Sequence, residues 1–147
     1  QRLSTTMKNE KSRFLKNTDE TIYDSQTSLT WMASDSRIHL KKDVSWDETE
    51  TYTEDMNGKS FGGHSDWRIP SAQEALSLFD KNKLNKDFKG GDIHLDSIFP
   101  PGAGNTTWTS ETRGREAQII FYINGFPYWY EKDDKTLSHS VRLIRRD

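Results

Sequence analysis

Three groups of residues in this chain have types and spacings that chemistry could use. Phe126-Pro127-Tyr128-Trp129-Tyr130 sets aromatics at alternating positions, and an exposed set of that kind stacks on a sugar ring or anchors a protein partner. Lys81, Lys83, Lys86 and Lys89 run up to Gly90-Gly91; such a cationic loop suits a sulfated polymer, through an attraction that weakens as salt rises. Asp66 and Arg68 flank Trp67, as an acid beside an anion clamp or as a pair that fixes a loop by hydrogen bonds while Trp67 fills the core. We read them in the second way, with Arg68 acting as a planar fork that lysine cannot copy.

Reaction chemistry finds little support. His39, His64, His94 and His139 are scattered, with no spacing that would bring two ligands onto one helix face. Asp133-Asp134 lies within Glu131-Lys132-Asp133-Asp134-Lys135 and offers oxygens to calcium, but the flanking lysines and the missing EF-hand spacing read as a solvated hairpin tip. No serine stands in G-x-S-x-G and no glycine loop has the pattern of a phosphate cradle. Cysteine is absent, which excludes disulfides, thiolate metal sites and cysteine nucleophiles. With 30% of residues charged, carboxylate pairs identify nothing. The expectation is therefore no enzyme, no metal and no cofactor.

Composition bounds the rest. A net charge of -2 opposes a dedicated nucleic-acid binder, and no apolar run approaches the roughly 20 residues that cross a bilayer. At 147 residues one domain is expected. Only 31% of residues are apolar, but five Trp, five Tyr and seven Phe can build an aromatic core in a loop-rich fold. The expectation is a single domain over residues 21–147 behind an arm of residues 1–20, in which Lys8, Lys11, Arg13 and Lys16 surround Leu3, Met7, Phe14 and Leu15. That arm either reaches a partner or lies on its own domain. A start at Gln1 fits either a processed product or a trimmed piece of a longer chain, and an extracytoplasmic location after removal of a signal segment is the expectation. Asn105-Thr106-Thr107 satisfies a glycosylation sequon, which we read as accidental.

The elements that must position these groups follow from local pattern. Thr21–Asp24 and Thr27–Met32 are β-prone runs that predict a hairpin with Trp31 inward. Ser45-Trp46-Asp47-Glu48 is a capping box opening a helix from Trp46 to Met56, stopped at Asn57-Gly58. Ser71-Ala72-Gln73-Glu74 repeats the box after Pro70, with Ala72, Ala75, Leu76 and Phe79 as one apolar face. The Lys81–Lys89 stretch reads as a mobile connection. Asn124-Gly125 predicts a two-residue turn that sets Ile123 opposite Phe126, Phe121 opposite Tyr128, Ile119 opposite Tyr130 and Ile120 opposite Trp129. Pro127 must turn its missing N–H away from that partner. A last strand is predicted over His139–Ile144.

In order, these parts resemble the Lcl C-terminal domain-like family, formerly a domain of unknown function grouped with C-type-lectin-like folds. The resemblance runs from about Thr21 to Arg145. It rests on Thr21-x-x-Asp24-x-x-Thr27-x-Leu29-x-Trp31, the helix opening at Trp46, and Gly63-His64-Ser65-Asp66-Trp67-Arg68-Ile69-Pro70 leading to Glu74 and Leu78. Phe99-Pro100, Thr107-Trp108-Thr109-Ser110, Asn124-Gly125 and Val141-Arg142-Leu143-Ile144-Arg145 complete it.

The resemblance implies an α+β, C-type-lectin-like fold: two helices on a small twisted antiparallel sheet with long loops and paired terminal strands. It implies a structural signature of Trp31, Trp46, Asp66, Trp67, Arg68, Pro70, Trp108 and Arg142. It also implies a secreted or cell-surface role on bacterial or phage proteins, in the periplasm or beyond. The frequent cysteines of the family are missing, as are the Glu-Pro-Asn and Gln-Pro-Asp triplets of calcium-dependent lectins, so sugar binding by that route is not expected. The favoured function is a non-enzymatic surface, accessory or structural subunit working through protein contacts or self-association. The alternative is a glycan-binding adhesin module.

Overall fold

The computed structural model describes residues 12–146. The expectations for Leu3, Met7, Lys8 and Lys11 lie outside them. Strands β1 (Phe14–Lys16), β2 (Thr21–Asp24) and β3 (Leu29–Met32) are followed by α1 (Ser36–Leu40), α2 (Trp46–Gly58), a 3-10 turn (Phe61–Gly63) and α3 (Ala72–Leu76). Then come β4 (Asn85–Lys86), β5 (Asp92–Ile93), β6 (Thr106–Arg113), β7 (Glu116–Phe121), β8 (Pro127–Glu131) and β9 (Ile144–Arg146). The class is α+β. Among the described residues the sheets are β9-β3-β2-β1, β4-β5 and β6-β7-β8, all antiparallel.

The amino-terminal hairpin forms as its β-prone runs predict, pairing Ile22 with Trp31, and Trp31 is fully buried. Its third partner is β1, where Phe14 pairs with Asp24; Arg13 adds a fork onto the Asp24 carboxylate at 2.8 and 2.7 Å. Residues Phe14–Lys16, expected in the arm, are thus an edge strand of the domain itself. The carboxyl strand closes the other side, Ile144 opposite Trp31.

Both capping boxes are present. Ser45 accepts from the Glu48 N–H and Glu48 from the Ser45 N–H; Ser71 and Glu74 do the same. The first helix runs two residues past Met56, to Gly58. The second is only five residues long, because the chain tightens into i to i+3 bonds, Leu78 N–H to Ala75 and Phe79 N–H to Leu76. That tightening moves the apolar stripe onto Ala75 and Leu78, and leaves Leu76 45% exposed, against expectation. Helix α1 has too few residues for periodicity to reveal. It is fixed instead by Asp35, whose carboxylate accepts from Ile38 N–H at 3.1 Å and Gly104 N–H at 2.9 Å.

Two hydrophobic clusters share the interior. One gathers Trp31, Ile22, Leu29, Leu95, Phe99, Ile120 and Tyr122; the other gathers Met32, Tyr52, Met56, Trp67, Trp108, Ile119, Val141 and Leu143. Alternation along β7 sends Ile119 to one and Ile120 to the other, so that sheet is covered on both faces.

The predicted last strand is largely not a strand. Residues 139–143 run through the interior between the sheets, and regular pairing begins only at Ile144. Their backbone groups are met one by one: His139 C=O by Val44, Ser140 C=O by Trp108, Val141 C=O by Ser36 and Leu143 C=O by Met32. The Ser36 and Thr107 hydroxyls accept from the N–H groups of Val141 and Arg142, at 2.9 and 3.0 Å. Arg142 is 2% exposed; it donates to the carbonyls of Met32 and Ala33 and lies 4.8 Å from the Phe99 ring centre.

Replacing Arg142 by Met should leave the Met32 and Ala33 carbonyls without a donor in a dry interior, at a cost of about 2–4 kcal/mol. Urea denaturation of the variant against wild type measures it, and a loss under about 0.5 kcal/mol would contradict this account of the segment.

Candidate functional site

The β7–β8 hairpin carries the aromatic run. Its turn is wider than predicted: Phe121 N–H bonds to Phe126 C=O at 3.0 Å and Gly125 N–H to Phe121 C=O at 2.8 Å, so four residues, Tyr122 to Gly125, form the loop. The register moves by two. Ile119 faces Tyr128, Ala117 faces Tyr130, Gln118 faces Trp129 and Ile120 faces Pro127, in place of the predicted partners. The cause is Tyr122, which leaves the hairpin to bury its ring at 1% exposure. Its N–H reaches Asn105 C=O at 2.8 Å and its hydroxyl donates to Ala75 C=O at 2.8 Å. Burial raises its pKa far above the ordinary tyrosine value. Gly125 has φ of 77°, and a Cβ there would meet the Phe79 ring at 2.9 Å, so the turn is seated on Phe79 and tolerates no side chain.

A shift of two keeps every side chain on its predicted face. On one face a column of rings descends from solvent to core. Tyr128, 41% exposed, meets Phe121 edge-on at 4.9 Å and lies 6.5 Å from Tyr130. Beneath them is His139, fully buried, with ring centres at 4.7 Å to Tyr130, 6.2 Å to Phe121 and 5.1 Å to Trp108. Neither His139 ring nitrogen has a hydrogen-bond partner among the described groups. Ile123 and Phe126, 47% and 56% exposed, crown the same hairpin at its turn. Trp129 points to the opposite face, half-buried, with the Arg113 guanidinium 4.3 Å over its ring; it is a covered residue and does not join Tyr128. Strand β8 is an edge strand. Pairing alternation turns the nitrogen of Pro127 outward, where no ladder bond is lost.

The lysine loop is not a uniform cationic array. Lys86 is bound to the Asp92 carboxylate, Lys83 lies 3.7 Å from Asp96, and Lys89 sits 5.5 Å over the Phe88 ring. Lys81 is exposed. Nor is the stretch a free connection: buried Asn85 donates to Asp96 and Phe99 carbonyls at 3.1 and 2.9 Å. Asp87 accepts from Lys89 and Gly91 N–H groups at 2.9 and 2.8 Å.

Asp66, Trp67 and Arg68 join three elements. Trp67, 2% exposed, donates its indole N–H to Phe61 C=O at 2.9 Å, and its backbone is held by the Asn57 amide at 2.8 and 3.0 Å. Arg68 forks onto Glu74, two bonds of 2.9 Å, and its backbone bridges Ile144 at 2.9 and 3.0 Å. Asp66 turns away from α3 and takes Arg145 of β9 at 2.7 and 3.2 Å. Pro70 is buried ahead of the capping box. The Trp46 and Trp108 indoles donate to Thr109 and Val44 carbonyls, both at 2.9 Å.

Among the described residues no three His, Asp or Glu side chains converge on a point that could hold a metal ion. Asp134 spends its carboxylate on the Thr136 N–H and hydroxyl at 2.8 and 2.7 Å, capping its own loop. His39 shares a 2.6 Å hydrogen bond with Tyr52, and His94 with the Lys83 carbonyl at 2.8 Å. No described helix is long and apolar enough to cross a membrane.

The profile of the Lcl C-terminal domain family matches residues 20–145. The chain belongs to that family. No curated protein and no solved structure matches it. Within this Lcl C-terminal domain the sequence pattern identified the aromatic strand, and it missed His139, whose position beneath Tyr130 depends on a segment that crosses from the far end of the chain.

Glu74 ties the clamp to pH. The Arg68 fork, opposed by burial and helped by the Ser71 N–H, holds its carboxyl down at about 2. The stabilisation is present above the unfolded value near 4.5 and is lost as pH falls toward about 2. Arg68→Lys should raise the midpoint of acid unfolding and cost about 1 kcal/mol at neutral pH, since Arg68 is half in solvent. Circular dichroism during acid titration reads this; an unchanged midpoint would refute the role given to the fork.

Proposed function

We propose that this Lcl C-terminal domain is a non-enzymatic, extracytoplasmic module of C-type-lectin-like fold that acts through protein contacts, as a surface, accessory or structural subunit. The observation that carries the reading is the exposed apolar group Ile123, Phe126 and Tyr128, 47%, 56% and 41% exposed, on one firmly seated hairpin. Rigid aromatic anchors bind at low entropic cost, and such residues dominate the energetics of protein interfaces. The α+β architecture with β9 paired to β3 supports the fold named.

The alternative, a glycan-binding adhesin module for sulfated polymers, needs Lys81, Lys83, Lys86 and Lys89 as a cationic array. The carboxylates of Asp92 and Asp96 beside Lys86 and Lys83 weaken that reading. Protein contact is favoured over it.

A photoactivatable benzoylphenylalanine in place of Phe126 should give a discrete cross-linked protein adduct in native extract, whereas the same group at the α2 terminus, replacing Lys59, should not. Adding Tyr128→Ser should remove the adduct while leaving the melting temperature within about 3 °C, as expected of an exposed site. A monomer without adduct, both purified and in extract, would overturn the reading. Salt-sensitive hits on a glycan array would favour the alternative instead.

A further inference from the structure

His139 is fully buried with neither ring nitrogen partnered among the described groups, and it lies directly under the face just proposed for partner binding. The surroundings are rings on three sides: Trp108 of β6 edge-on at 5.1 Å, Phe121 of β7 edge-on at 6.2 Å and Tyr130 of β8 at 4.7 Å. The charged groups acting on it are Asp134 from the connection after β8 and Asp43 from the connection before α2. Tyr128 and Tyr130 are the titratable groups of β8, and Tyr130 is itself held neutral by burial and by Tyr128 and Asp134. Neither carboxylate bonds the imidazole. A second proton would therefore create a buried cation with two N–H donors and no protein acceptor among the described groups, a costly arrangement.

The packing offers one outlet. Tyr130 is half-buried and belongs to a strand whose outer side has no strand partner among the described residues. Beyond it, the connection back to His139 ends in Ser138 at φ of 59°, a left-handed conformation that a non-glycine residue holds only under constraint. A charged His139 can reach water when Tyr130 swings out with β8 and Ser138 relaxes.

We propose that His139 is a proton-operated latch for the aromatic face: neutral, it keeps Tyr130 and Tyr128 closed over the core, and protonated, it opens β8 and dissolves the surface. Burial favours the neutral ring, outweighing Asp134 and Asp43, so the folded pKa lies below the ordinary value of 6.5. The sign follows. Stability is fully present above the unfolded value and is lost as pH falls from there toward the folded one. A partner seated on Tyr128 and Tyr130 would exclude still more water from the imidazole, so by linkage acid must release that partner. This last step rests on the protein-contact reading; the latch itself does not.

The test uses the free protein. The His139 ring proton should titrate below the ordinary histidine range by NMR, and the Tyr130 ring signals and β8 amide protection should change in the same transition. Protection should fall at least tenfold from pH 7 to 5 after correction for intrinsic exchange. His139→Phe, which cannot titrate, should hold β8 protected across that range. An ordinary titration with β8 unchanged, or an equal loss in His139→Phe, overturns the latch. If that variant fails to fold, co-titration of His139 and Tyr130 in the wild type decides. The Phe126 adduct followed against pH separates the two readings. Adduct that persists unchanged at pH 5 sinks the latch and keeps the partner. Opening of β8 without adduct at any pH keeps the latch and sinks the partner.

Discussion

The fold depends on how residues 139–143 are buried without a strand ladder to satisfy them. A backbone in a dry interior must find a partner for almost every N–H and C=O, and this segment finds them on Met32, Ser36, Val44, Thr106, Thr107 and Trp108. Each of those residues is thereby fixed relative to the others. The close approach explains Gly104, where a Cβ would lie 2.0 Å from the Ser140 hydroxyl. Arg142 completes the arrangement from inside, as a cation whose work is done on carbonyls and on the Phe99 ring. The segment thereby bonds both to the four-stranded sheet, at Met32, and to the three-stranded sheet, at Trp108.

At its far end the segment becomes β9, and there the Asp66-Trp67-Arg68 motif takes hold of it. The two charged residues diverge: Arg68 secures the start of α3 through Glu74, while Asp66 secures β9 through Arg145. Glu74 serves as capping partner of Ser71 and as acceptor for Arg68 at once. A motif that reads as a possible acid and anion clamp is therefore occupied on both sides by its own domain.

At its near end the segment delivers His139 beneath the hairpin. The aromatic face and the crossing segment thus pack as one stack: exposed Tyr128 rests on Phe121 and Tyr130, Phe121 and Tyr130 rest on His139, and His139 rests on Trp108. The surface rings are thereby connected, through three layers of packing, to the segment that bonds to both sheets.

Local chemistry was legible in the chain. Ser45 with Glu48 and Ser71 with Glu74 announced two helix starts, because a capping box is complete within four residues. Alternation assigned each hairpin side chain to its face, because a strand has a period of two whatever its partner. The family, too, could be read from Ser65-Asp66-Trp67-Arg68-Ile69-Pro70 and its neighbours in order. The tertiary structure decided the rest. The hairpin register moved by two because Tyr122 is claimed by Ala75 and Asn105, residues remote in sequence. Residues 139–143 look like a strand but form no regular ladder, because their partners are divided among β3, α1, β6 and the connection before α2. His139 looked like one scattered histidine of four, because its neighbours Trp108, Phe121 and Tyr130 lie on three strands whose convergence no local pattern encodes. Bonds between near neighbours are written in spacing; bonds between distant ones exist only after the chain has chosen how to bury its apolar surface.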